Sequence, residues 1–288
     1  MDSGLKLFTK ALRFIEEKDL PAALCVMLPY SRSHPYVLYT EELDGIDENF
    51  RLMTHYMENG NSDPMRGKMY ADMLARLEKV VRNMRADYRR RNVDFYKEAA
   101  AKAGRNMPVS ENTVRLALED FVSETAVLQF ESDENRKTAE ERVYEKHYAF
   151  MSSLFCSIVV SDLWTKEQAD RMLEVLLLPT VDSGDVQMIV AALMLAVMNS
   201  FDINKFSVLA QVYQRSRDER VRQKALVGWV LSMTDTVAAE EQKKYIADMC
   251  ADPAIVKELV EMQRQVFFCM NTEKDNAVIQ SDIMPALF

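Results

Sequence analysis

Apolar residues recur every three or four positions along nearly the whole chain, which is the spacing of one face of an α-helix. Leu5, Phe8 and Leu12 begin the first such stripe. Residues typical of helix N-termini and C-termini separate one stripe from the next. The connecting segments in the second half are short, and short connectors favour antiparallel neighbours. The pattern therefore predicts an all-α protein built from antiparallel helical hairpins.

Capping residues predict where several helices begin. Thr165 and Gln168 form a capping-box pattern, in which each side chain can bond the exposed backbone N–H of the other residue. Thr138 and Glu141 show the same pattern. The polar segment 131–137 lies directly before the second pair. The sequence therefore predicts a flexible hinge over this segment and a helix that starts after it.

One predicted helix is unusually long. It runs from about residue 64 to 103, contains no proline after its first position and stops at Gly104. An unbroken helix of this length would span roughly 60 Å. The triplet Arg91, Asn92 and Val93 forms helix weakly. The sequence leaves open whether the helix is continuous or bends at this triplet.

A weak internal repeat lies within residues 165–274. Three predicted helices begin at Asp185, Asp218 and Asp252, and each carries an apolar residue three positions later and a small or apolar pair seven and eight positions later. Asp caps a helix N-terminus, and the apolar positions share one face. Stacked helix pairs would bury that face in a continuous core. The residues expected to be buried are Ala192, Leu193, Ala225, Leu226 and Leu259.

The middle copy of this repeat resembles a known family. It reads Asp218, then Val221-Arg222, then a small residue, which resembles the second helix of a HEAT repeat. The resemblance implies an armadillo/HEAT-like α-solenoid over about residues 165–274. A non-repetitive helical bundle with coincidental caps is the alternative. The other two copies have Gln187-Met188 and Ala254-Ile255 in place of the Val-Arg pair.

The N-terminal hairpin resembles a single tetratricopeptide motif. Large, small, aromatic and proline residues fall at the positions that this motif prefers, although an ordinary helical hairpin would also fit them. The matching residues are Leu7, Ala11, Phe14, Ala23, Met27 and Pro35.

These features divide the chain into four predicted parts. A length of 288 residues suits one large domain or two modest ones. The predicted parts are a tetratricopeptide-like hairpin at 1–35, a long-helix bundle region at 36–162, a HEAT-like array at 163–274 and a tail at 275–288.

Charge is distributed unevenly. The chain has a net charge of −9, yet residues 64–105 carry twelve Lys or Arg against five Asp or Glu. Residues 39–63 carry seven acids and one Arg, so the two segments can neutralise each other as antiparallel neighbours. Arginines at helical spacing form a candidate face for an anion or a partner. Its members are Arg82, Arg85, Arg89 and Arg90.

Two interpretations of this face are open. The first three arginines are expected to be exposed, or to pair with acids from residues 41–58, in which case each surface pair contributes about 0–1 kcal/mol. Alternatively, the face binds nucleic acid or another polyanion, with Tyr88 and Tyr96 beside it.

Methionines repeat at four-residue spacing on either side of the turn at 59–62. On facing helices they would form a pliant apolar groove of the kind that accommodates a partner helix. Ordinary core packing is the alternative. The residues are Met53, Met57, Met65, Met69 and Met73.

The motifs of several enzyme classes are missing from the sequence. No two glycines lie closer than seven residues apart, which excludes the glycine-rich nucleotide-binding and nucleophile-elbow motifs. The three histidines lack zinc or di-iron spacing, and His147 is expected to be packed rather than catalytic. We therefore predict no enzyme activity, no metal and no cofactor.

The sequence predicts a cytoplasmic protein that binds no membrane. The four cysteines lie far apart in apolar helical contexts, which predicts buried free thiols in a reducing compartment. The longest strongly hydrophobic uncharged stretch, 188–198, is too short to span a bilayer. The leading functional interpretation is a non-catalytic scaffold that binds a protein or peptide, and nucleic-acid binding is the alternative.

The C-terminal segment is strongly apolar. A helix carries Phe267 and Phe268 near its end, and the chain finishes in Leu287-Phe288. An exposed solenoid end needs cover. We therefore expect that residues 277–288 fold back over the two phenylalanines, or that a further domain C-terminal to Phe288 docks there.

Overall fold

The structure, a computed structural model, describes residues 3–34, 37–60, 63–104, 110–233 and 239–278. The chain forms two compact units, Met1–Ala238 and Ala239–Phe288. The four-part division inferred from the sequence stays a prediction.

Every regular element in the described residues is helical, which confirms the predicted all-α class. The helices of the first unit begin and end as follows: α1 Ser3–Glu16, α2 Leu20–Ser33, α3 Val37–Glu58, α4 Arg66–Asn92, α5 Asp94–Ala103, α6 Glu111–Val127, α7 Asp133–Val159, α8 Lys166–Leu176, α9 Ser183–Asn199, α10 Ile203–Arg215 and α11 Glu219–Leu231. A 3₁₀ turn, Leu128–Phe130, follows α6, and the second unit contains α12 Ala239–Met249 and α13 Pro253–Val278.

Helices α1 to α4 share one hydrophobic core. Phe8, Met27, Leu43 and Leu77 are completely buried in it. Tyr70 on α4 fixes the turn between α1 and α2, because its hydroxyl donates to the Lys18 carbonyl at 2.6 Å and accepts from the Leu20 N–H at 3.1 Å. The N-terminal hairpin is therefore anchored on the basic helix.

Helices α6 to α11 pack in next-but-one order. Helix α6 lies against α8 and α8 against α10, while α7 lies against α9 and α9 against α11. This order is compatible with a helical repeat. Four of the five predicted core residues in the array are buried, namely Ala192, Leu193, Ala225 and Leu226. The HEAT and tetratricopeptide resemblances stay predictions.

Two of the three predicted aspartate caps are confirmed. Asp218 accepts from the Arg220 and Val221 N–H groups at 2.8 and 3.0 Å, and Asp252 accepts from Ala254 at 2.8 Å. Asp185 is not a cap.

Asp182 performs that role for α9, since its carboxylate accepts from Gly184 at 2.7 Å. The N-cap thus lies three residues before the predicted Asp185, and the helix begins at Ser183. Asp185 is left free to contact another helix. The capping box of Thr165 and Gln168 is present as predicted.

The long basic helix is broken at Val93. This residue is extended, with φ −110° and ψ 118°, and separates α4 from α5. The side chain of Asn92 donates to the Tyr88 carbonyl at 2.9 Å, so it occupies a backbone acceptor near the end of α4. Of the two sequence-based alternatives, the structure supports the bend.

The predicted hinge over 131–137 is wrong. Helix α7 begins at Asp133, so Thr138 lies inside the helix rather than at its cap. Arg136 accounts for the earlier start, because its guanidinium donates to the Leu128 and Gln129 carbonyls at 3.1 and 3.0 Å. These bonds tie the end of the preceding 3₁₀ turn to the first turn of α7.

The prediction of buried thiols is also wrong. Cys25, Cys250 and Cys269 are exposed, and Cys156 is half-buried. Apolar neighbours in the sequence therefore do not place these cysteines on a buried face. Trp229, by contrast, is fully buried.

Two phenylalanines of the second unit that were expected to need cover are largely exposed. Phe267 and Phe268 on α13 are 62% and 66% exposed, and Leu259 is half-buried rather than buried. The predicted fold-back of 277–288 falls almost entirely outside the described residues. Within those residues, no helix has both the length and the apolar character needed to span a bilayer.

Candidate functional site

Arg82, Arg85 and Arg89 of α4 are directed towards the protein, which corrects the expectation that they are exposed or pair with acids from 41–58. Arg82 is only 6% exposed. Its guanidinium donates to Glu78, one turn earlier on the same helix, at 2.8 Å from Nε and 2.5 Å from Nη2. The partner acid therefore lies on α4 itself and not on α3.

Arg85 and Arg89 bind the end of another helix. The Nη2 of Arg85 and the Nη1 of Arg89 both donate to the carbonyl oxygen of Asn199 at 2.9 Å. Asn199 is the last residue of α9, where carbonyl groups have no partner within the helix and the helix dipole is negative. The two arginines thus act as a C-terminal cap for α9.

Arg90 makes the equivalent contact with the end of α7. It donates to the Val160 carbonyl at 2.7 Å and to the Asp162 carboxylate at 2.9 Å, and it also pairs with Asp87. Burial lowers the pKa of Arg90, but Asp87 and Asp162 outweigh this effect and hold the pKa above its usual value. One face of α4 therefore fastens the C-terminal ends of both α7 and α9.

Acidic residues of α3 form ion pairs away from the arginine face. Arg76, on an outer face of α4, pairs with Glu42 of α3 at 2.8 Å, and Arg32 pairs with Asp44 at 2.6 Å. The predicted charge pairing between α3 and α4 therefore occurs, but it does not involve the arginine face. The backbone carbonyl of Asn199, rather than an acid, accepts hydrogen bonds from Arg85 and Arg89.

The arginine face borders a cavity of about 520 Å³. Burial, followed by the charges of Arg89 and Arg82, lowers the pKa of Arg85 to about 10. Burial also lowers the pKa of Arg89, whose guanidinium lies 5.6 Å from the centre of the Tyr96 ring. Among the described residues, the Asn199 carbonyl rather than an acid accepts from Arg85.

The five methionines of the predicted groove divide between core and surface. Met73 is buried and Met53 is partly buried against the core of α1 to α4. Met57, Met65 and Met69 are exposed, the last two by 51% and 43%. Two of the five thus pack in or against the core, and three are exposed to solvent.

The exposed methionines lie beside the turn that joins α3 to α4, together with Tyr56, which is 50% exposed. The Arg76–Glu42 pair marks the outer face of the hairpin. Tyr56 lies about four turns beyond Glu42, while Met69 and Met65 precede Arg76 by about two and three turns, so all three share that face. We call Tyr56, Met57, Met65 and Met69 the hairpin-end patch.

Composition did not reveal Tyr56 as a member of this patch. The methionine spacing pointed to α3 and α4. Tyr56 is recognised as a neighbour of these methionines only from its helical position relative to Glu42. A helical projection of α3 would have placed Tyr56 on the outer face once the ion pair was known. Leu52, one turn before Tyr56, is also exposed and extends the apolar surface.

His147 is packed between helices, as the sequence suggested. Its ring stacks on Phe121 with centroids 3.5 Å apart, and its Nε2 lies 2.8 Å from the Asp185 carboxylate. Burial raises the pKa of Asp185, an effect that the hydrogen bond and charge of His147 oppose. The pair connects α7 to α9, and its residues lie 38 positions apart in the sequence.

Comparison of the chain with protein-family models, curated proteins and solved structures finds no match. Among the described residues there is also no cluster of three or more His, Cys, Asp or Glu side chains that could hold a metal ion. The functional argument therefore depends on the geometry of the chain itself.

Proposed function

We propose that this protein is a non-catalytic helical-repeat scaffold that binds a protein partner, and that the hairpin-end patch is its recognition surface. The observation that carries the proposal is the exposure of Tyr56, Met65 and Met69 on one face of two packed helices, with Met57 exposed next to Tyr56 in the chain. Flexible, polarisable Met side chains adapt to the surface of a partner helix. The shared core of α1 to α4 supplies the rigid support behind it.

The charge around the patch defines the kind of partner. Helix α3 is acidic, and its Glu48 and Glu58 side chains are exposed about two turns before Tyr56 and directly after Met57, while Arg66 of α4 donates to the Met57 sulfur at 3.3 Å. An amphipathic helix with an apolar face and basic flanks would complement both properties. We therefore propose a basic amphipathic helix of another protein as the bound element.

Titration calorimetry with synthetic amphipathic helices tests this proposal. A leucine–lysine peptide should bind, and a leucine–glutamate peptide of the same length should bind at least about tenfold more weakly because α3 repels it. Replacing Met65 and Met69 by Ser should reduce affinity for the basic peptide by about tenfold or more, since each buried Met contributes about 1.5–3 kcal/mol.

The chain offers a matched control for this variant. Met188 and Met198 on α9 are also exposed, by 40% and 53%. Changing both to Ser removes the same number of exposed methionines at a distant place and should leave peptide affinity unchanged. Equal losses in the two double variants would show that the binding is unspecific and would overturn the proposal.

Nucleic-acid or polyanion binding through the Arg82–Arg91 face stays an untested prediction, and no structural observation favours it. Arg82 is buried, while Arg85, Arg89 and Arg90 donate to oxygens of the protein.

The four free thiols, three of them exposed, favour a reducing compartment such as the cytoplasm as the place of action. We therefore propose the cytoplasm as the protein's location.

A further inference from the structure

A cavity lies within the first unit, bordered by α1, α4 and the C-terminal ends of α9 and α11. Its volume is about 520 Å³, which is within the range that holds small organic ligands. Arg85 and Arg89 form one wall, and Leu12, Val197 and Phe201 contribute apolar surface to the others. The cavity thus combines cationic groups with an apolar interior.

Arg85 and Arg89 carry more N–H donors than the described residues supply acceptors for. A guanidinium carries five N–H donors. Among the described residues, the Asn199 carbonyl is the one hydrogen-bond acceptor for both Arg85 and Arg89, and each gives it a single bond. Arg82 differs from them, because Glu78 neutralises its charge.

The charge balance of the lining is also one-sided. Four arginines border the cavity, whereas Glu16 is the one acid among the described residues that do so, and it is exposed. Burial and the neighbouring arginines lower the pKa of Arg85 to about 10, so its charged form is held at a cost in this environment. A negatively charged ligand beside Arg85 would offset the unfavourable free energy of burying this charge.

The apolar wall indicates what carries the charge. Leu12, Val197 and Phe201 form its buried floor, and Met198 and Leu231, which are 53% and 42% exposed, supply the accessible apolar surface of the lining. Inorganic phosphate would leave this surface without a partner, whereas a hydrocarbon chain or ring would cover it. The two walls together select a molecule that is charged at one end and apolar along its body.

We infer that this cavity binds a small organic carboxylate whose charged end lies between Arg85 and Arg89 and whose apolar body packs on Leu12, Val197 and Phe201. Carboxylate oxygens match the fork geometry of guanidinium groups and accept two parallel bonds from each. Such a ligand would join α1, α4 and α9 and would stabilise the first unit. This inference does not depend on the hairpin-end patch.

Calorimetric titration of the full chain with octanoate tests the inference. Octanol and inorganic phosphate serve as comparison probes, since the first lacks the charge and the second lacks the apolar body. Octanoate should bind at least about tenfold more tightly than either, and its binding should raise the melting temperature. Equal binding of octanoate and octanol, or no binding of octanoate, would overturn the assignment.

Variants on α4 locate the charged end. Arg85→Gln with Arg89→Gln should weaken octanoate binding by at least about tenfold, whereas Arg91→Gln, an exposed position on the same helix, should change it less than about twofold. Unchanged affinity in the double variant contradicts the proposal.

A steric variant covers the possibility that the double variant does not fold. Met198 lines the cavity and is 53% exposed, so Met198→Trp adds bulk at the mouth without altering the arginines. It should also reduce octanoate affinity, while binding of the leucine–lysine peptide to the hairpin-end patch stays intact. Full octanoate affinity in this variant would place the ligand elsewhere.

Discussion

Arg82 and Glu78 form an ion pair whose side chains are only 7% and 11% exposed. Removing one partner of a buried pair leaves an uncompensated charge, whereas an exposed pair contributes little. The same helix carries both kinds, because Arg76 and Glu42 form a pair that is nearly half exposed. Helix α4 therefore permits a direct comparison of the two situations.

Arg82→Met should lower the free energy of unfolding by about 3–5 kcal/mol, because Glu78 then stays charged and buried. Arg76→Met should lower it by about 0–1 kcal/mol. Urea denaturation monitored by circular dichroism measures both. Adding Glu78→Met to the first variant should recover much of the loss. Similar losses for Arg82→Met and Arg76→Met would show that the Arg82 pair is not buried in solution.

The pKa of Asp185 predicts a specific pH dependence. Burial raises this pKa despite the opposing effect of His147, so the folded chain binds more protons here than the unfolded chain as the pH rises above the usual pKa of aspartate. Stability contributed by this group is therefore lost as the pH rises through the raised pKa. Asp185→Asn removes the effect, so its stability relative to the wild type should increase from about pH 4 to neutral pH.

Asp218→Asn is the matched control, with the opposite sign. The backbone N–H of Val221, followed by the Ser183 side chain, lowers the pKa of Asp218. The stability that Asp218 contributes is lost as the pH falls, so this variant should approach the wild type towards acid pH. Urea unfolding across the pH range measures both differences. Parallel curves for Asp185→Asn and the wild type would contradict the assignment.

At the scale of elements, helix starts were the best-predicted features because capping is local. Thr165 and Gln168, and likewise Asp218 with Val221, lie within one turn of each other. The contacts of the arginine face were not predictable in this way. The Asn199 carbonyl lies 114 residues from Arg85, and the Val160 carbonyl lies 70 residues from Arg90. A backbone acceptor also leaves no signal in amino-acid type.

The close approach of α9 and α11 depends on a glycine. A Cβ at Gly228 would lie 3.2 Å from the Cβ of Met194, an atom that cannot move without its backbone. Gly228→Ala should therefore lower stability by about 1–2 kcal/mol. Gly45→Ala on α3 meets no atom within 4 Å and should raise stability by about 0.5–1 kcal/mol.

Thermal or urea unfolding of these two glycine variants, made in the same background, gives the comparison. The glycine at 45 serves as the control because both substitutions add the same methyl group inside a helix. A gain in stability at both positions would mean that α9 and α11 are not packed at this distance.

At the scale of the whole molecule, the two surfaces that the sequence predicted differ in their exposure to solvent. The arginine face lies against the ends of α7 and α9 and borders a cavity, whereas three of the five predicted groove methionines are exposed. Helical spacing predicted both clusters but not which would face the solvent. That depends on the tertiary neighbours, and the methionine pattern alone suits a core as well as a groove.

The central claim is that partners bind at the hairpin-end patch, and methyl NMR of the 19 methionines tests it most directly. With methyl-¹³C methionine in the chain and the leucine–lysine peptide as probe, the signals of Met57, Met65 and Met69 should shift together. The buried Met84 and the distant, exposed Met188 should serve as unshifted references. Shifts confined to Met188 and Met198, or an unchanged spectrum at saturating peptide, would contradict the account.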